Sequence, residues 1–278
     1  MLFRILGPLR VHETSAMGSP VRRAILTAFL LRPGRSIGIG ELLELLWDEP
    51  PASATANIRS HIAGLRRDLE DIAPGLSDRL KTYRGSQSSY GLDVTSAEFD
   101  LAKFTRSARD GRSLLLSGDA DAAADALEEA TALWRGPFGL DLPPTRWFTG
   151  HVAGLNSARI DAYQDLFTAC ILANRTEMLC YRIERVIVEE PYRQSLWELL
   201  AAAHCVCGDA VGSLNAIKRC QTLFADDLGL GLPPTVEAMR SAALNWDSAR
   251  ALRLIEARAS ASDSGQRYRA APKSLALS

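Results

Sequence analysis

The tightest constraint on this 278-residue chain is one apolar stripe, Ile58, Ile62, Leu65 and Leu69, spaced i, i+4, i+7 and i+11 in a segment that begins after Ser53. Such spacing returns to one side of an α-helix, so that side must lie on a core and the rest must turn outward. Projected at about 100° per residue, the opposite side holds Ser60, Ala63, Gly64 and Arg67. Arg59 and Arg66 stand on one flank and Asn57 and His61 on the other. Small residues at the centre with basic or polar ones beside them let a helix sit deep in a groove. An ordinary solvated face reads the same way, so the neighbours of this helix decide between the two.

Those neighbours have a definite order. Leu2–Leu6 and Leu9–His12 are short apolar-rich runs around Gly7-Pro8, a strand–turn–strand pattern. Ser19-Pro20 supplies a cap and a proline for the first helical position. Val21, Ala24, Ile25, Ala28 and Phe29 then carry a first helix to about Leu31, ahead of Pro33-Gly34. A second helix, about Glu41 to Trp47, stops at Pro50-Pro51. After the third helix, Leu80–Tyr83 and Tyr90–Val94 flank the polar, glycine-containing stretch Arg84–Ser89, which reads as a hairpin. Strands, three helices and a terminal hairpin, in that order, make a winged helix.

From about Ser96 the texture becomes alanine-rich and helical, as in residues 118–130, and an all-α domain is expected. Gly139-Leu140-Asp141-Leu142-Pro143-Pro144-Thr145 recurs as Gly229-Leu230-Gly231-Leu232-Pro233-Pro234-Thr235. Gly118-Asp119-Ala120 recurs as Gly208-Asp209-Ala210, both at an offset of 90. Asn174 and Gly208 mark two helix–helix corners 34 residues apart, close to the tetratricopeptide period. Between them, Glu190-Pro191-Tyr192-Arg193 is a turn ahead of another amphipathic helix. Helical pairs stacked as a short solenoid fit this pattern.

Composition excludes more than it selects. Apolar content of 47% and charged content of 23% are those of a folded chain, and the length suits two domains. The formal net charge of −1 provides no global attraction to nucleic acid. Residues 1–95 hold twelve Lys/Arg and ten Asp/Glu, or +2, leaving −3 for the remainder, so DNA binding must come from a local patch. The first residues lack a secretory-signal pattern, and no run approaches the ~20 apolar residues of a membrane span, so a soluble, cytoplasmic protein is expected. The odd set Cys170, Cys180, Cys205, Cys207 and Cys220 argues against a disulfide framework. Cys205 and Cys207 stand roughly 200° apart on a helix, poor chelating geometry, and buried apolar cysteines with no metal are expected. His12, His61, His151 and His204 lie in unrelated settings and no nucleophile elbow is present, so neither catalysis nor a cofactor is expected.

These residues resemble a known family. Arg22–Leu26, Glu41–Leu43 with Leu46-Trp47, Ile58–Leu69, Tyr83–Gly85 and Tyr90–Leu92 are together similar to the OmpR-type winged helix of the Streptomyces antibiotic regulatory proteins (SARPs). Phe99-Asp100 to Phe104, Ala132–Gly136, the Glu190–Arg193 turn and Ala225–Leu230 with Pro233-Pro234 resemble that family's bacterial transcriptional activation domain. The resemblance covers about residues 1–246, in the compact arrangement of the small members. No Gly-x-x-x-x-Gly-Lys-Ser/Thr loop suggests the ATPase module of the longer ones.

The resemblance implies that the third helix enters the major groove and the hairpin touches the DNA backbone or the adjacent minor groove. Matched to this sequence, Arg59, Ser60, Ala63 and Gly64 would face bases. Asn57, His61, Arg66, Arg67, Thr82 and Arg84 would face phosphates. Two departures stand out: Ala63-Gly64 occupies a stretch where relatives carry extra basic residues, and Gln194-Ser195 replaces an acidic residue past the turn proline. The expected organisation is a winged helix-turn-helix domain over 1–95, a tetratricopeptide-like all-α domain over 96–257 and a disordered tail over 258–278, mainly α with a small β component. The implied function is activation of an antibiotic biosynthetic gene cluster. A side-by-side pair would bind direct repeats near the promoter −35 region and recruit RNA polymerase through its sigma, alpha and beta subunits. The rival reading is a helical-repeat adaptor whose winged helix no longer binds DNA.

Overall fold

The structure is a computed structural model that describes residues 1–12, 19–85 and 88–261. It contains two compact units: Met1–Arg106 with Ala132–Ala158, and Ser107–Thr131 with residues from 159 on. The chain is mainly helical with small N-terminal sheets.

In the first unit β1 (Phe3–Arg4) pairs antiparallel with β2 (Arg10–Val11). Helix α1 (Pro20–Leu30) starts as its sequence implies: the Ser19 hydroxyl accepts from the Arg22 N–H at 3.4 Å, and Pro20 occupies the first turn, where a missing N–H costs nothing. Then come β3 (Ile37–Gly38), α2 (Ile39–Leu46), α3 (Ala54–Ile72), β4 (Leu80–Tyr83) and β5 (Ser89–Leu92). The stripe Ile58, Ile62, Leu65 and Leu69 is buried, each residue at 1% exposure or less, against a core that includes Ile25, Phe29 and Leu42. The hairpin pairs Leu80 with Leu92 and Tyr83 with Ser89. β3 completes a sheet of order β3-β5-β4, with Ile37 opposite Tyr90. No strand was expected at β3, because two residues are too few to display an alternation.

The division expected at residue 95 is not where packing divides the chain. Helix α4 (Asp100–Leu116) begins with a buried carboxylate: Asp100 accepts from the Ile5 and Leu6 N–H groups, both at 2.9 Å. The Arg135 N–H donates to the Leu6 carbonyl, and its guanidinium reaches the Pro8 carbonyl at 2.8 Å. The Thr145 hydroxyl donates to the Leu45 carbonyl at 2.8 Å. Trp134 meets Phe104 edge to face at 5.2 Å. Residues 132–158 thus satisfy backbone groups of the winged helix that its own sequence leaves open.

The second unit comprises the rest of α4, α5 (Ala120–Thr131), the later part of α6 (Arg146–Leu172), α7 (Leu179–Glu189), α8 (Gln194–Val206), α9 (Ala210–Leu228), α10 (Pro234–Leu244) and α11 (Ser248–Ala261). Leu127, Phe167, Ile183, Leu200, Phe224, Met239 and Ile255 belong to one core. Both corners 34 residues apart are left-handed, with φ of 56° at Asn174 and 76° at Gly208. The Gly-Asp-Ala repeat is one solution used twice: left-handed Gly118 and Gly208 precede Asp119 and Asp209, whose carboxylates accept from the Ala122 and Gly212 N–H groups. The second repeat diverges. Gly229 caps α9 and α10 starts at Pro234, whereas no helix starts after Gly139 until Arg146.

Two expectations need correction. Residues 258–261 are helical rather than part of a tail, because Arg258 pairs with Glu198 at 3.0 Å and donates to Gln164 at 3.1 Å, holding the end of α11. Residues 262–278 lie outside the described residues. Cys207 is exposed, since it caps α8 at a corner, while Cys170, Cys205 and Cys220 are buried and Cys180 is half-buried. Among the described residues no helix is long and apolar enough to cross a membrane, and no cluster of His, Cys, Asp and Glu could hold a metal ion.

Candidate nucleic-acid interface

The outward side of α3 follows from the burial of its opposite stripe. Arg59, Ser60, Ala63 and Arg67 are exposed together on it, and Asn57 is exposed one turn earlier, its amide donating to Ser53 Oγ at 3.2 Å. Arg59 and Arg67 form no ion pair with another described residue.

The flanks are occupied on both sides. On one, Arg66 donates to the Leu80 carbonyl at 2.9 Å and to the Thr82 hydroxyl at 2.6 Å, tying α3 to the first strand of the hairpin. Arg66 is therefore half-buried, and its first role is to set the angle between helix and wing. Thr82, Lys81 and Arg84 are exposed along that wing, and neither Lys81 nor Arg84 is ion-paired with another described residue. Ser86 and Gln87, expected at the hairpin tip, lie outside the described residues.

On the other flank Arg22 of α1 crosses α3. Its Nε stands 3.1 Å from Asp68 Oδ2, and a Cβ at position 64 would come within 2.6 Å of its Nη1. Gly64 is buried beneath this side chain. Gly64, expected to face bases, is covered here by Arg22: it lies about 130° from the centre of the apolar stripe, on the side where α1 closes over the helix. His61, half-buried on the same flank, titrates below the ordinary histidine range because burial, and then the Arg22 charge, disfavour its cation. At neutral pH it is an uncharged donor and acceptor rather than a second cation beside Arg22.

The surface is therefore a small uncharged centre, Ser60 and Ala63, with Arg59 and Arg67 on the helix and Lys81 and Arg84 on the wing. Lys81 and Arg22 are not among the residues expected from the sequence to contact DNA. Lys81 follows directly from its strand, whereas Arg22 depends on how α1 crosses α3. The acidic residues of α3 gather at its far end, where Glu70 accepts from the Gly75 N–H and the Ser77 hydroxyl. That carboxylate is engaged in closing the turn toward the hairpin.

Residues 14–86 match the family described as "Transcriptional regulatory protein, C terminal", and residues 99–244 match "Bacterial transcriptional activator domain". Transcriptional regulatory protein EmbR of Mycobacterium tuberculosis is 29% identical over 241 residues, covering 85% of this chain, which spans 61% of that protein's length. Regulatory protein AfsR of Streptomyces coelicolor is 32% identical over 90% of this chain but only 25% of its own length. Regulatory protein DnrI of Streptomyces peucetius is 25% identical, with 89% of this chain matched to 93% of that protein. A solved structure of M. tuberculosis EmbR in complex with a low-affinity phosphopeptide superposes with a TM-score of 0.79 at 27% identity, covering 93% of this chain and 69% of that one. The second match covers more than half of the chain, and the two matches follow each other in the order of the two folds. This chain belongs to the SARP family, in which an OmpR-type winged helix precedes a bacterial transcriptional activator domain.

Proposed function

We propose that this chain activates transcription in the cytoplasm, at the nucleoid, by binding a specific duplex site through α3 and the wing. Two copies lie side by side on direct repeats near a promoter −35 region, and the helical domain recruits RNA polymerase through its sigma, alpha and beta subunits to an antibiotic biosynthetic cluster. The observation that carries the reading is the exposed face of α3, with Arg59, Ser60, Ala63 and Arg67 beside the cationic wing residues Lys81 and Arg84. A helix fits the major groove, and an arginine there can take both acceptors of a guanine. Asn57, His61 and Thr82 flank this face as phosphate-side donors, and Arg66 contributes through the wing it positions.

The site has few cations, so its electrostatic share is modest. Three to four phosphates neutralised per copy imply a slope of log K on log salt of about −3, near −0.9 per phosphate. Titrating the full chain into labelled fragments from upstream of biosynthetic operons, across a salt series, tests the reading. Tight, salt-dependent binding to a subset of fragments is expected. Absence of binding would reject it and leave the adaptor reading, and binding equal on every fragment at every salt concentration would reject the specific site.

A further inference from the structure

Arg22 belongs to none of the expected DNA contacts, yet its position is unusual. It is anchored at one point and opened at another. The Nε edge of the guanidinium lies 3.1 Å from Asp68 Oδ2, and the Nη1 end extends over the backbone of Gly64, where any side chain would displace it. Both partners sit on α3, and Arg22 itself stands in the first turn of α1, whose Ser19 cap fixes the backbone at that point. The two side chains are only 25% and 19% exposed, and the contact is an ion pair without hydrogen-bond geometry.

The location gives the arrangement a use. The wing, through Arg66, Thr82 and Lys81, lines one flank of α3, and Arg22 lines the opposite flank, with Ser60 and Ala63 between them. A helix seated in a major groove has a phosphate strand on each side. The wing can serve one strand, while the Asn57 and His61 side otherwise offers only uncharged donors. An arginine has donors on two edges: the Nε edge faces the Asp68 carboxylate as an ion pair, and the Nη1 end passes over Gly64.

Building on the DNA-binding reading above, we propose that Arg22 is a phosphate-binding residue contributed by α1. Asp68 orients it, and it reaches the groove edge only because position 64 is glycine. Gly64 then acts by making room, not by touching DNA. Arg22 supplies the charge on the side of the helix away from the wing.

The test uses the full chain and a labelled mixed-sequence duplex, because a phosphate contact does not depend on sequence. Affinity is measured by fluorescence anisotropy across a salt series for wild type, Arg22→Gln, Gly64→Ala and the double variant, with melting temperature recorded for each. Arg22→Gln is expected to flatten the log–log salt slope by about one ion and to weaken binding several-fold at low salt. Gly64→Ala retains its melting temperature, since only the end of a flexible side chain must move, yet weakens binding in the same sense. The double variant is no weaker than Arg22→Gln alone, because the alanine acts only through the arginine. An unchanged slope in Arg22→Gln, while Arg67→Gln lowers it, would overturn the role of Arg22 and leave DNA binding standing. Additive losses in the double variant would overturn the part assigned to Gly64. Absence of salt-dependent binding by wild type would overturn both this inference and the reading beneath it.

Discussion

Asp100 is expected to be among the most costly single positions in the first unit. Its carboxylate, 1% exposed, accepts two backbone hydrogen bonds of 2.9 Å, from Ile5 and Leu6, joining the N-terminal segment to the start of α4. Asp100→Ala strands both N–H groups away from water at about 1–3 kcal/mol each, a total of roughly 2–6 kcal/mol. Part of this is returned, because the buried charge is itself disfavoured: desolvation raises the Asp100 pKa above the ordinary carboxylate range despite those two hydrogen bonds and the nearby Arg135. Asp100→Asn should fall between wild type and alanine, since a carboxamide has one accepting oxygen and its NH2 meets the second N–H donor to donor. Urea unfolding followed by tryptophan fluorescence measures the loss, with Trp134, packed on Phe104, reporting from this unit. Asp121→Ala, at a side chain 70% exposed, is the control and should shift stability by no more than about 0.5 kcal/mol. An Asp100→Ala loss as small as the control's would refute the claim that residues 96 onward complete the winged-helix fold.

Arg59→Ala should cost roughly 1–3 kcal/mol on the preferred site and far less on random duplex, whereas Arg84→Ala should weaken both alike. Competition binding separates the two, and equal losses for Arg59→Ala would remove its base-reading role. His151 titrates below the usual histidine range because it is half-buried against Trp147 and feels the Arg32 charge, so the unfolded chain binds its proton first. Its contribution to stability is therefore intact above about pH 6.5 and declines as pH falls below that value. Thermal melts from about pH 7.5 downward should show His151→Gln losing less than wild type, and parallel curves would contradict this assignment. Cys207 should react with a thiol reagent in the native protein while Cys170 and Cys220 react only on unfolding, because both are buried and their thiols are pushed up to about 11. Peptide mapping of labelled cysteines reads this directly, and early labelling of Cys220 would contradict the packing of α9.

What sequence alone could determine was set by local rules. The stripe Ile58 to Leu69 had to be buried, so the outward side of α3 and the exposure of Arg59, Ser60, Ala63 and Arg67 followed from helix geometry. Ser19-Pro20, Pro50-Pro51 and the hairpin runs placed elements by capping and turn chemistry, and left-handed Gly118 and Gly208 follow from glycine before an aspartate cap. The remainder depended on contacts far apart in sequence. Periodicity places Gly64 on the outer half of the helix, but only the crossing of α1 puts Arg22 above it. Arg66 reads as a phosphate contact until β4 arrives with the Leu80 carbonyl and the Thr82 hydroxyl. β3 exists only because Tyr90 stands opposite Ile37. The limits of the first unit were decided by Asp100, Arg135 and Thr145, whose backbone partners lie some 95 to 130 residues away, a separation that no periodicity records.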